Sequence, residues 1–112
     1  MIINSVEMEN LELFEVEIAE RYEKALKLLE TTEIKTEGLT MAQGIKIQCE
    51  IIFEFFDIMY GEGASKKIFG NKVNLVTCLN ALGDFMTQIN KNNTDTLNSI
   101  NKKYSSNRAK RR

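Results

Sequence analysis

Apolar residues recur at helical spacing along three stretches of the chain, and glycines set off a fourth, shorter one. In the first stretch Ile18, Tyr22, Ala25 and Leu29 fall at i, i+4, i+7 and i+11, with Ala19 and Leu26 beside them. This spacing predicts an amphipathic helix over residues 11–31. Its opposite face carries Glu17, Glu20, Glu23, Lys24 and Lys27, with Glu20–Lys24 and Glu23–Lys27 in the favourable i,i+4 order. Residues 31–40 are polar and contain Gly38, so they read as a connector.

The second helix is expected over residues 40–60. Met41, Ile45, Cys49, Ile52, Phe56 and Met59 form its stripe, and Ile51, Phe53, Phe55 and Ile58 widen it. Only Glu50, Glu54 and Asp57 mark a water-facing edge in its second half. A helix apolar most of the way round is either central or meets a partner with its extra face. Gly61 suits a positive-φ helix end. Ala64–Phe69 reads as a short helix stopped by Gly70, and Asn74 is a good N-cap for the next one.

That next helix is predicted over residues 75–90 from Leu75, Cys78, Leu79, Leu82, Phe85, Met86 and Ile89, with Phe56 and Leu82 expected in the core. The polar run NKNNTDT breaks the pattern, and Leu97, Ile100 and Tyr104 suggest one more frayed turn of helix. At the other end MIINSVEME alternates imperfectly around Asn4-Ser5, which fits a short strand pair or an extended arm. The expected fold is a mainly α, single-domain helical bundle of three main helices plus a short one. It occupies residues 1–104, with a disordered basic tail over 105–112.

Its hub is residues 51–70, which hold four of the six phenylalanines and Tyr60. Each such ring buries roughly 150–250 Å² when enclosed. At 112 residues the chain suffices for one core, and the lack of proline suits an α-rich fold. Cys49 and Cys78 both lie in apolar stripes and read as buried core thiols. There is no histidine, which excludes Ser-His and Cys-His nucleophile pairs and His-ligated metal sites. No run approaches the ~18 apolar residues of a membrane span, and the acidic start lacks the features of a signal peptide. The expected location is the host cell cytoplasm.

Net charge is −1, but it is distributed unevenly. Residues 1–30 carry eight glutamates against Arg21, Lys24 and Lys27, whereas residues 101–112 carry six basic residues and no acid. Such asymmetry marks an interaction tail.

Three features invite a chemical reading. GEGASKK resembles a phosphate loop only superficially: Gly61 and Gly63 are one residue apart, Ile68 follows Lys66-Lys67, and the preceding segment is helical. A plain link between helices is the stronger reading. Glu50 and Glu54 share a helix face, yet acid–base work needs a shielded pocket as well. A solvated edge accounts for them. The basic end can meet phosphates by charge alone, but it offers one tyrosine and no reading helix, so an acidic protein surface fits it at least as well.

The phrase FEFFDIMYGEGASKKIFGNKVNLVTCLNALGDF, with the end KKYSSNRAKRR, resembles a family of small proteins from tailed phages and prophages of Gram-positive bacteria. The resemblance is carried by Phe55, Phe56, Asp57, Tyr60, Gly61, Glu62, Gly63, Lys67, Ile68, Phe69 and Gly70. At the end it is carried by Tyr104, Ser105, Asn107, Arg108, Ala109, Arg111 and Arg112. The family is similar to tail assembly chaperones of long-tailed phages. These bind the tape-measure protein and keep it soluble while tail tube subunits polymerise around it. The resemblance implies that role here, with no catalytic residues and no cofactor, so the chain is expected not to be an enzyme. The rival reading is a small phage regulator that meets nucleic acid through its basic tail.

A chaperone needs an adaptable apolar surface, which methionine and aromatic side chains supply. Met41, Phe53, Phe55, Ile58, Met59, Phe85 and Met86 are the candidate partner-binding residues, with core packing the competing reading for each. Arg108, Lys110, Arg111 and Arg112 form the candidate recruitment arm. The expected partners are the tape-measure protein, tail tube subunits and further copies of the chain.

Overall fold

The computed structural model describes the backbone of residues 1–110 and the side chains of residues 1–102. The chain opens on a two-stranded antiparallel hairpin, β1 (Ile2–Ile3) and β2 (Val6–Glu7), with Ile2 opposite Glu7 and Ile3 opposite Val6. Asn4 and Ser5 both take positive φ, 50° and 62°. That pair of angles matches the right-handed twist of the flanking strands, and asparagine tolerates it well.

Among the described residues five helices follow: α1 (Val16–Glu30), α2 (Thr32–Thr36), α3 (Met41–Tyr60), α4 (Ala64–Phe69) and α5 (Leu75–Lys110). α1 starts five residues later than the periodicity suggests. Leu11 turns into the core instead, the Glu12 carboxylate accepts from Phe14 N at 3.4 Å, and Glu15 is still extended. The expected connector after α1 contains the short helix α2, whose last residue, Thr36, donates its hydroxyl back to Thr32 O at 2.8 Å. α3 begins on a reciprocal cap in which the Thr40 hydroxyl accepts from Gln43 N and the Gln43 side chain accepts from Thr40 N. Asn74 caps α5 as expected, accepting from Thr77 N at 3.1 Å.

The largest departure from the sequence pattern is α5. It runs unbroken through NKNNTDT, where a break was expected, to Lys110. The run contains neither glycine nor proline, so nothing in it forces the helix to stop. The side chains of Tyr104 and of the expected basic tail lie outside those described. The long helix accounts for a radius of gyration of 17.6 Å, against about 13 Å for a compact chain of ~100 residues. The long dimension of the molecule is 65 Å.

α3 is the central helix. Phe55 and Phe56 meet Phe85 of α5 at centroid distances of 5.3 and 5.8 Å, and Cys49 lies beside Cys78 one helical stretch earlier. Both contacts advance together, so α3 and α5 run parallel. Parallel neighbours need a returning connection, and residues 61–74 with α4 provide it. α1 runs the opposite way: Arg21 donates to Met59 O at 3.3 Å, and the Tyr22 hydroxyl donates to the Met86 sulfur at 3.5 Å. The hairpin closes the end where α3 stops. There Ile2 N–H donates to Gln88 Oε1 at 3.2 Å and Gln88 Nε2 donates to Ile2 O at 2.7 Å.

The core is the aromatic cluster expected of residues 51–70, extended by Phe85 and Tyr22. Phe55, Phe56, Phe85, Met59, Ile89, Cys49 and Cys78 are fully enclosed. Leu82, expected in the core, is only half-buried at its edge. Both cysteines are free and buried. Burial, reinforced by contact with Cys49, pushes the Cys78 thiol up to about 12, so it stays protonated and unreactive at neutral pH. The expected pairs Glu20–Lys24 and Glu23–Lys27 do not form. Among the described residues the ion pairs are Arg21–Glu17 at 2.6 Å and the amino terminus with Glu7 at 3.3 Å. Exposed pairs of this kind contribute too little to hold two long side chains in one geometry.

Candidate binding surface

The hub sequence places its polar groups structurally. Asp57, on the last turn of α3, accepts from Ser65 N at 2.8 Å and from the Ser65 hydroxyl at 3.1 Å. The residue before α4, Gly63, has no side chain to cap it, so Asp57 does so from the preceding helix. Gly61 and Gly63 take φ of 102° and 91°, which a side chain strains against. They serve this reversal, consistent with a link between helices rather than a phosphate loop. Asp57→Ala is expected to cost about 1–3 kcal/mol, because the buried-side amide of Ser65 loses its acceptor. A chemical denaturation midpoint that does not move would show the contact to be idle.

Tyr60 sits beside this reversal with its hydroxyl on the Met1 sulfur at 3.3 Å. Burial, aided by the charge of Glu9, holds its phenol far above the ordinary range, so it acts as a neutral packing group. Among the described residues, no three His, Cys, Asp or Glu side chains are grouped to hold a metal ion. Among the same residues no helix is long and apolar enough to cross a membrane. Glu50 and Glu54 are exposed on the outer edge of α3.

The candidate partner-binding residues divide sharply. Phe55, Met59 and Phe85 have no exposed surface and belong to the core, because α1, α4 and α5 together cover more of α3 than one neighbour could. Their side chains fill the core rather than a partner surface. Phe53, Ile58 and Met86 are half-buried at its margin, with the Phe53 ring 5.0 Å from Phe69. Met41 is the exception at 83% exposed. The side chains of Arg108, Lys110, Arg111 and Arg112 lie outside those described.

Met41 is not alone. Ile34 on α2 is 76% exposed and Leu39 on the following turn is also uncovered. On α5, Val76 is 66% exposed and Leu79 is exposed one turn later, and Val73 is exposed in the connector just before the helix. Because Cys78 lies level with Cys49 and the helices run parallel, Val76 is level with the first half of α3 and Leu79 with its middle. The two groups therefore lie in the half of the bundle away from the hairpin. The cause is geometric. α3 starts earlier, relative to α5, than α5 can cover, while α2 turns Ile34 outward. The sequence marked Met41 alone of this set, because Val76 and Leu79 continue a stripe that reads as core and Ile34 lies in an apparent connector.

Residues 4–112 match a family described as a family of unknown function, DUF6673, and the chain belongs to it. Neither a curated protein nor a solved structure matches the chain.

Proposed function

We propose that this chain is a non-catalytic chaperone of phage tail assembly that covers apolar helices of a tape-measure protein until tail tube subunits polymerise around them. The observation that carries the proposal is the exposure of Ile34, Leu39, Met41, Val73, Val76 and Leu79 in the half of the bundle away from the hairpin. The resemblance of the hub and terminal sequences to phage tail proteins supplies the identity of the partner. Scattered exposed aliphatics are ordinary, but six in one half of a small bundle point to a contact surface.

Magnitudes suit a transient hold. Covering on the order of 400 Å² of apolar area contributes about 10 kcal/mol, which is offset by an association cost of roughly 4–15 kcal/mol. The surplus is small for one copy, so a growing tube displaces it readily. The aliphatic and methionine surface adapts to successive helices because it recognises shape weakly and hydrogen-bonds nothing. No bond is made or broken, and no cofactor is needed. The work takes place in the host cytoplasm, where the tape-measure protein is made.

Co-expression with the tape-measure protein encoded by the same phage is the direct test. The expected result is a larger soluble fraction of that protein and a complex that co-purifies with this chain. A tape-measure protein equally soluble with and without the chain would end the proposal.

A further inference from the structure

We propose that a second copy of this chain lies antiparallel along α5, in a two-fold dimer whose orientation is set by ion pairs between the two helices. The inference goes beyond the chaperone reading and concerns the half of the bundle that carries the hairpin. Between Leu75 and Lys102 α5 contains four charged residues, Asp84, Lys91, Asp95 and Lys102. Their signs alternate and all four are exposed. Their spacings of seven, four and seven residues put them within about 40° of one another around a helix of 3.6 residues per turn. They form one line, about 27 Å long at 1.5 Å per residue.

This line is not the face that packs. Cys78, Ala81, Phe85 and Ile89 are buried, and they lie about 100° around the helix from it. Among the described residues none of the four charges forms an ion pair within the chain. Lys91 and Asp95 are four residues apart, but with lysine first, the weaker order. A cleft follows the line: Gln88, Lys91, Asn92 and Asp95 form its floor, and Ile2 and Asn10 its wall. It continues along Leu11 and Glu12 as far as Thr96. Gln88 holds the Ile2 backbone through two hydrogen bonds, which leaves the Ile2 side chain 57% exposed at the rim. The cleft therefore offers a charged floor and one apolar anchor.

The order of the charges selects the occupant. The outer pair, Asp84 and Lys102, and the inner pair, Lys91 and Asp95, share one midpoint, Asn93. Reversing the line about Asn93 keeps every spacing and inverts every sign. Two antiparallel copies centred there place Asp84 against the other copy's Lys102, and Lys91 against the other copy's Asp95, each contact occurring twice. The surface is self-complementary, as a two-fold interface requires. Parallel copies in register would set like charge against like, which is unfavourable. Exposed ion pairs are individually weak, so the charges fix register and orientation. Ile2 and the lysine stems supply apolar cover. Such a contact weakens as salt screens it.

The test is the mass of the full chain by sedimentation, over a range of concentrations, at low and high salt. The expected result is twice the 12.8 kDa chain mass at low salt, falling toward the single chain at high salt. Asp95→Lys and Lys91→Asp are each expected to be monomeric, because each sets two like-charged pairs in the contact. Mixed in equal amounts, these two variants restore both inner pairs and should give a heterodimer of doubled mass. If either variant fails to fold, Asp84→Lys mixed with Lys102→Asp asks the same of the outer pairs. A single-chain mass for the unaltered protein at low salt overturns the proposal. So does a dimer that the single reversals leave intact, or a mixture of folded variants that stays monomeric.

Discussion

Phe85→Ala is expected to lower stability by about 3–5 kcal/mol, the range for a fully buried ring. Phe85 sits where all three long helices meet, with Tyr22 at 6.4 Å, Phe55 at 5.3 Å, Phe56 at 5.8 Å and Tyr60 at 6.2 Å. Its removal costs the transfer energy of the ring, the edge-to-face contacts and a cavity that four rigid rings cannot collapse into. A domain of this size has a total of about 5–15 kcal/mol, so the variant should be partly unfolded at growth temperature. Leu82→Ala is the internal comparison. Leu82 is half-buried on the same helix and should cost clearly less. Denaturant midpoints of the two variants check the ranking, and equal losses would mean that the aromatic cluster is not the centre of the core.

Placing charge on the exposed apolar surface should have the opposite profile. Met41→Glu with Val76→Glu is expected to leave the melting temperature nearly unchanged, because these side chains are 83% and 66% exposed and contribute little to packing. The same pair should abolish the retention of a tape-measure protein in the soluble fraction, since two carboxylates would have to be desolvated against apolar helices at several kcal/mol each. Normal folding with undiminished retention would move the binding surface elsewhere on the chain.

The fold was largely legible in the sequence, and the surface only in part. Long stripes such as Cys49–Ile52–Phe56–Met59 announce a buried helix because burial itself imposes the spacing. Asn4-Ser5 and Asn74 were readable because a turn and a cap depend on local hydrogen bonding. The start of α1 was not, since Leu11 continues the apolar periodicity of a helix it does not join. The continuation of α5 was hidden by residues of low helix propensity, a weak prior that a long preceding helix overrides. Which apolar residues stay uncovered depends on how far each helix overlaps its neighbour. Phe55, Met59 and Phe85 therefore read like Met41 in the sequence, yet only Met41 faces water.

The hairpin's attachment at Gln88 has a consequence for how the molecule is made. Ile2 leaves the ribosome well before Gln88, and its two hydrogen bonds are to that residue, 86 positions later. Closing so long a loop is entropically unfavourable until other contacts have shortened it. α3, α4 and the first half of α5 are close in sequence and contain most of the aromatic cluster, so they form the natural nucleus. The hairpin and α1, although synthesised before that nucleus, wait as an unfinished flap and dock last, only after the chain has emerged beyond Gln88. During synthesis Phe55, Phe56 and Met59 lack their α5 partner. The nascent chain is itself a briefly aggregation-prone species, safest when translation passes quickly from the hub to α5.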